Sequence, residues 1–466
     1  MKKICAFLSI IILLLMPGAN NPVFAEKILE DNVNLIITYN NDTIDNNVKD
    51  LIKNSGGQVV SDIPELGASE IRCSPELIEK IRSYQTVKNV SPNPIIKLQK
   101  IKMISFKELN KIDQVKGDLF NQYQWDIKNV TNNGKSFNLQ SGNHNVVVGI
   151  IDTGVDKDHP DLKGNFLGGK NIVPKNFEND LTETGDPNDV EDKSGHGTHV
   201  AGTIAGNGRI MGVAPNIGFK SYRIFNKSND TTGYILATAI VQAVKDKVNV
   251  INLSIGGYVI KGKCILTDSK TKKSYKLNDD AEEYSLYKKA IRYAVKNGVT
   301  VVASAGNEAL DCSNSQNILN YVNNGVKDQG LTYIGNGIEI PGDIKGVITV
   351  SASRKDNTIA SYSNYGQGVI DISAPGGEMK NITDPNEVYS MCLSSYRDNS
   401  YLFMQGTSMA APKVSALAAL TICKYGNIPP KEVAKKIYKS AEKVNTYNSN
   451  NYFGHGLVNA YNLLNK

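Results

Sequence analysis

The sequence predicts an α/β protein, a mostly parallel sheet flanked by helices in three layers, preceded by a small α+β unit. Three observations carry this. Near-continuous apolar runs recur at 146–151, 248–253, 299–303 and 347–351, the pattern of strands buried on both faces. Helical stretches at 232–247, 284–297 and 408–425 alternate with them. Ahead of these, residues 34–98 read as β-α-β-β-α-β, a ferredoxin-like unit.

The chain opens on a different element. Lys2 and Lys3 precede a 13-residue apolar run from Ile4 to Met16, which Pro17-Gly18 breaks, and Val23-Phe24-Ala25 supplies a cleavage-like end. The run is shorter than the ~20 residues that cross a bilayer, so residues 1–25 read as a cleavable secretory signal. No other run of this length occurs, Cys5 lies on the wrong side of the run for a lipoprotein, and Asn462 to Lys466 shows no anchor. The mature protein is therefore expected to be extracellular and without an integral membrane span.

Between the signal and the larger domain, an apolar strand at 35–39 leads to Ile44, Val48, Leu51 and Ile52 at helical spacing. Gly56-Gly57 breaks the chain before extended stretches at 58–63 and 67–73, Pro75 starts a second helix, and 87–90 returns as a strand. The lysine-rich stretch 100–122 reads as a linker. The expected divisions are signal 1–25, N-terminal unit 26–117 and large domain 118–466.

Composition narrows the function classes. Of 466 residues, 40% are hydrophobic and 21% charged, which permits a large core and excludes a disordered chain. The 52 basic residues exceed the acidic ones by only six and are spread along the chain, so nothing points to nucleic acid. Export permits disulfides. Beyond Cys5 and Cys73, the widely separated Cys264, Cys312, Cys392 and Cys423 argue against a zinc cluster and leave free thiols and disulfides both open.

Three motifs carry chemistry. Ile150-Ile151-Asp152-Thr153-Gly154 puts an acid at the C-terminal end of a buried strand, where open α/β sheets place their sites. Gly195-His196-Gly197-Thr198-His199 brackets His196 with glycines that let backbone approach closely. His196 and His199 are spaced to share a metal, but no third ligand or His-Glu-x-x-His pattern accompanies them, and His199 reads as a structural histidine. In Gly406-Thr407-Ser408-Met409-Ala410-Ala411-Pro412, Ser408 opens a helix at the positive end of its dipole, and Pro412 is expected in the first turn. Singly, these read as a turn acid, a core histidine and an N-cap serine.

Together, in the order Asp, His, Ser, they resemble the subtilisin-like serine proteases over most of 123–460. The resemblance implies a subtilisin-like fold. It also implies an Asp152–His196–Ser408 triad, and an oxyanion-hole donor at Asn307, in Ala303-Ser304-Ala305-Gly306-Asn307. The preceding unit looks like the family's inhibitory propeptide. Leu253-Ser254-Ile255-Gly256-Gly257 resembles the substrate-pairing strand, which with Ala305 and Gly306 implies substrate contacts at Ser254 and Gly256. Glu339, two residues before Pro341, matches the position that floors the S1 pocket; Glu308 and Asp311 are the weaker candidates. A carboxylate there favours arginine or lysine at P1.

More specifically, residues 124–136, 171–175 and 413–416 look like those of lantibiotic leader peptidases, which cut modified bacteriocin precursors after a basic residue. The seven carboxylates between Glu178 and Asp192 are expected on the cleft rim, where they would attract a basic peptide. The polar insertion 258–283 is a candidate flap. Calcium is a common ligand of the family and Asp161 matches one ligand position, but 205–212 offers few oxygens, so Asp161 reads as a weak calcium candidate and no cofactor is required. The expected protein is a monomer that acts on a precursor peptide, with its own propeptide as inhibitor. A broad-specificity degradative subtilase is the alternative.

Overall fold

The structure, a computed structural model, describes residues 33–98, 102–105, 117–267, 272, 274–278, 282–327, 330–381, 383–445 and 448–465. The signal-like residues, and within the lysine-rich stretch residues 99–101 and 106–116, lie outside the described residues.

The N-terminal unit consists of β1 (Val33–Tyr39), α1 (Asn46–Asn54), β2 (Gln58–Ile63), β3 (Ala68–Cys73), α2 (Ile78–Arg82) and β4 (Val87–Pro92). Its sheet is antiparallel in the order β2-β3-β1-β4, the ferredoxin-like arrangement. Strand alternation divides β1 between two cores. Leu35 and Ile37 meet Val48 and Ile52 of α1 and Ile78 and Ile81 of α2, while Ile36 turns to the large domain. Asp45 caps α1, accepting from the Asn47 amide at 2.8 Å.

Two short strands lead into the large domain. β5 (Ile95–Lys97) and β6 (Lys102–Ser105) fall partly in the stretch expected to be a linker, and β6 corrects that expectation. Helices α3 (Asp118–Tyr123) and α4 (Trp125–Thr131) follow, then β7 (Val147–Asp152), β8 (Phe166–Asn171), α5 (His196–Ala205), β9 (Gly218–Arg223), β10 (Asp230–Thr232) and α6 (Gly233–Lys245). The chain continues through β11 (Val250–Leu253), β12 (Gly257–Thr267), β13 (Ser274–Asn278), α7 (Glu282–Lys296), β14 (Thr300–Ser304), α8 (Ser315–Val326) and β15 (Leu331–Ile340). It ends with β16 (Val347–Ser353), β17 (Ile372–Pro375), β18 (Cys392–Tyr396), β19 (Ser400–Gln405), α9 (Thr407–Tyr425), α10 (Pro430–Ser440), α11 (Ser449–Phe453) and α12 (Ala460–Asn465).

The central sheet has seven parallel strands in the order β17-β16-β14-β11-β7-β9-β8. The four expected strands are its contiguous middle. Those the sequence reading missed, β8, β9 and β17, occupy its two edges. α5 and α9 pack in the core on one face of the sheet, and α6 and α7 on the other. Among the described residues no helix is long and apolar enough to cross a membrane, and no disulfide joins the described cysteines.

The insertion is not a flap over the cleft. β12 pairs antiparallel with β13 and β15, and Cys264 and Leu266 enter the core of the N-terminal unit. Apolar inward positions on β12 make this hairpin a platform for that unit. Lys289 of α7 adds a bond to the Leu66 carbonyl at 2.9 Å and an ion pair with Asp42 at 2.7 Å.

Candidate active site

Three elements of one layer boundary bring the motif residues together. Asp152 ends β7, His196 opens α5 and Ser408 is the second residue of α9. His196 Nδ1 lies 2.7 Å from Asp152 Oδ1, which also accepts from the Thr153 amide at 2.8 Å. Burial opposes protonation of His196, but the Asp152 charge and hydrogen bond outweigh it and hold the imidazole pKa above its ordinary value. Gly197 makes the approach possible, since a Cβ there would come within 2.2 Å of the Gly154 carbonyl oxygen. Gly195, at φ +99°, likewise sits against the Tyr396 ring.

The start of α5 is tied by Asp192, which takes the Gly195 amide at 2.6 Å, the Thr198 amide at 2.8 Å and the Thr153 hydroxyl at 2.8 Å. Asp192 is thus an anchor of the site rather than part of a charged rim. Two more acids of the run are held by cations. Buried Glu183 takes both terminal nitrogens of Arg223, at 2.8 and 2.9 Å, and Lys193 at 3.3 Å. Asp189 pairs with Arg223 at 3.1 Å and Lys193 at 3.2 Å. Glu183 and Asp189 of the expected attractive rim thus belong to an internal ion-pair network.

The Ser408 hydroxyl donates to the Ser254 carbonyl at 3.1 Å, and His196 Nε2 has no hydrogen-bond partner. Unliganded acyl-transfer sites are often loosely aligned in this way. Asn307 is oriented by Thr407, whose amide and hydroxyl both donate to its Oδ1, at 2.8 and 2.9 Å. The Thr407 hydroxyl in turn accepts from the Gly306 amide at 3.2 Å.

The strand exit after β11, the Ala305-Gly306 turn and Glu339 lie close together. A Cβ on Gly256 would lie 3.4 Å from the Ser304 carbonyl oxygen, 3.6 Å from Glu339 Oε1 and 3.8 Å from the Gly306 nitrogen. Ala305 is held through its carbonyl by Asn364 Nδ2 at 2.8 Å. Glu339, only 1% exposed, has no well-formed side-chain hydrogen bond. Burial, then the nearby Asp343 charge, push its pKa well above the usual carboxylate range, and the Gly342 amide offsets this only in part. The weaker candidates differ. Glu308 is bonded to the Tyr258 hydroxyl, to the Asn307 amide at 2.8 Å and to Asn364. Asp311 closes a local turn on Ser313.

This geometry, a serine at a helix start beside an Asp–His pair, has a family to match. The Subtilase family (Peptidase S8) model matches residues 143–456, which contain all four motif positions. The chain belongs to the subtilase family. It is 32% identical, over the full length of both chains, to the epidermin leader peptide-processing serine protease EpiP of Staphylococcus epidermidis. It is 31% identical to the nisin leader peptide-processing serine protease NisP of Lactococcus lactis subsp. lactis, over 95% of this chain and 65% of that protein. The crystal structure of EpiP from Staphylococcus aureus superposes with a TM-score of 0.78 at 30% identity, covering 93% of this subtilase and 98% of that chain. The crystal structure of NisP gives 0.66 at 34% identity, covering 75% and 95%. The subtilase is accordingly a serine protease.

Around Asp161 the donors do not suit a cation. Its Oδ2 accepts from the Ile210 amide and the Tyr401 hydroxyl, both at 3.0 Å. The guanidinium of Arg209, paired with Asp118 at 2.7 Å, lies over the Tyr401 ring. No group of three or more His, Cys, Asp or Glu poised for a metal occurs among the described residues. His199 Nε2 instead faces the Cys392 and Leu402 carbonyls at 3.2 and 3.1 Å; burial first, then His196 and Lys413, lower its pKa to about 3.

Sequence reasoning missed the struts. Asp126 and Lys413, in two of the stretches that resemble leader peptidases, form a buried ion pair at 2.7 Å that joins α4 to α9. Pro412 is also misplaced by that reading. The helix begins at Thr407, so Pro412 falls in the second turn and its missing N–H matters.

Proposed function

We propose that this subtilase is a secreted endopeptidase that removes the leader of a lantibiotic-type precursor, cutting after arginine or lysine. The substrate class is supported by the likeness to two leader peptide-processing proteases in sequence and in structure. The basic P1 residue rests on one observation: Glu339 is a buried carboxylate without a cation, beneath Gly256 and beside Gly306. An aliphatic P1 side chain would leave it desolvated, whereas a guanidinium or ammonium would pair with it.

In the proposed reaction Ser408 Oγ attacks the scissile carbonyl carbon as His196 Nε2 takes its proton. Asp152 holds the Nδ1–H tautomer and balances the imidazolium. The oxyanion is received by the Ser408 N–H and the Asn307 side-chain amide. Collapse breaks the C–N bond as His196 gives its proton to the leaving amine. Water then attacks the acyl-enzyme through the same groups and regenerates Ser408. Ser254, Gly256, Ala305 and Gly306 line the extended substrate. No cofactor enters the chemistry, and the working unit is a monomer.

The N-terminal unit, 26–117, is proposed as an inhibitory propeptide ahead of the 118–466 peptidase. Supporting this, β5 pairs antiparallel with β10, and Lys102 of β6 lies opposite Gln405, three residues before Ser408. Lys102 thus brings the chain near the nucleophile. No arginine lies between Arg82 and Arg209, so removal in cis requires a cut after lysine. Ser408→Ala should accumulate as full-length proprotein in culture medium; normal maturation would mean processing in trans.

The deciding experiment is a P1 profile of the mature enzyme and of Glu339→Ala on a peptide panel. The parent should cut after Arg and Lys, and Glu339→Ala should lose that preference. Arginine preference surviving the substitution overturns the pocket assignment. Equally fast cleavage after apolar residues by the parent overturns the processing role.

A further inference from the structure

We infer that Ser254 is a positioning residue for the nucleophile, its hydroxyl replacing the helix hydrogen bond that Pro412 deletes at the Ser408 carbonyl. This rests on the reading of Ser408 as nucleophile. In an α-helix the N–H of residue 412 closes on the carbonyl of residue 408. Pro412 has no N–H, and Ser408 lies inside α9 and is buried, so its carbonyl needs a donor from elsewhere.

Ser254 provides it. Its Oγ donates to the Ser408 carbonyl at 2.9 Å, across 154 residues of sequence. Behind it, Asn252 Nδ2 donates to Ser254 Oγ at 3.0 Å, and Ser415 Oγ donates to Asn252 Oδ1 at 2.8 Å. The relay leaves α9 at Ser408 and rejoins it two turns on, bridging the turn that proline interrupts. With Asn252 facing Ser415 through its oxygen and Ser254 through its amide nitrogen, the Ser254 proton has one remaining direction, toward Ser408. All the side chains in the relay are buried.

The same residue holds the nucleophile twice, because the Ser254 carbonyl accepts the Ser408 hydroxyl at 3.1 Å. On the other side, the Thr407 amide is held by Asn307. The peptide unit carrying the Ser408 N–H is therefore clamped between Asn307 and Ser254. Loosening one clamp shifts both the attacking oxygen and an oxyanion donor. That cost falls on kcat, since an extended substrate pairs with the main chain at Ser254, which loss of the hydroxyl leaves in place.

The test uses mature enzyme: steady-state kinetics, fluorophosphonate labelling and thermal melting of Ser254→Ala, Ser254→Thr and Ser254→Ala/Pro412→Ala. Ser254→Ala should lower kcat and the labelling rate about 10–100-fold, with KM changed less than about twofold. Ser254→Thr keeps a hydroxyl and should recover most of the loss. Adding Pro412→Ala restores an N–H for the Ser408 carbonyl and should return kcat by about tenfold. Parental kcat in Ser254→Ala, or failure of the added Pro412→Ala to recover any rate, overturns the inference. If Ser254→Ala does not fold, restored folding and activity in the double variant support the inference, and a double variant that stays unfolded overturns it. Absence of labelling in the parent itself overturns the nucleophile reading, and this one with it. That failure is recognisable because the parent is then silent.

Discussion

Two buried glutamates in this subtilase live under opposite conditions. Glu183 is wholly enclosed and accepts both terminal nitrogens of Arg223, with Lys193 close by. Glu339 is as deeply enclosed and meets no cation, and its pKa rises well above the ordinary range. The acid that the sequence places on a substrate-attracting rim is thus a strut. The acid near the end of β15 is the one left without a cation among the described residues. Counting carboxylates near a cleft says little; whether the chain supplies each with a cation separates structure from recognition.

The largest expected effect tests the strut. Arg223→Met leaves buried Glu183 with Lys193 alone, and should cost about 3–5 kcal/mol in denaturant unfolding while leaving P1 preference intact. A loss below about 1 kcal/mol would erase the distinction between the two sites.

Glu339→Gln should then lower kcat/KM for an arginine peptide about 10–100-fold, the worth of a hydrogen bond to a charged group. Its effect on stability should have the opposite sign to that of Arg223→Met. Folding raises the Glu339 pKa, so the stability linked to its proton is complete below the unfolded carboxylate pKa and is lost as pH rises through the raised value. Glu339→Gln should therefore melt above the parent at neutral and alkaline pH and level with it in acid. A lower melting point at pH 8 would mean that Glu339 has an internal partner after all.

A smaller effect separates the pocket from the catalytic centre by pH. In the proposed mechanism His196 must be neutral to act as base, and its pKa is held above the imidazole norm. The acid limb of kcat/KM on an uncharged peptide should sit above that norm in both parent and Glu339→Gln. With an arginine peptide only the parent should show a second, Glu339-dependent rise with pH. The smallest expected effect is that of a chelator: with Asp161 engaged by Ile210 and Tyr401, EDTA should leave the melting temperature unchanged.

The motif positions of the proposed triad were legible because each is announced by its neighbours in the chain. A buried strand ends at Asp152, glycines flank His196, and a small-residue helix starts at Ser408. The four inner strands were legible for the same reason, being apolar throughout. β8 escaped because this edge strand carries glycine and polar residues, β9 because Lys220, Ser221 and Arg223 interrupt its apolar pattern, and the hairpin of the insertion was misread because its apolar face serves another unit.

What the sequence by itself determined is the family, the layered α/β order and the four motif positions, all encoded over a few residues of strand end, turn or helix start. Only the tertiary structure decided the partners. Glu183 finds Arg223 across 40 residues, and Ser254 reaches Ser408 across 154. Asp126 is joined to Lys413 from the far end of the domain. Residue type makes such pairings possible, but burial, which is a property of the assembled fold, selects the acids that are satisfied and leaves Glu339 without a cation among the described residues.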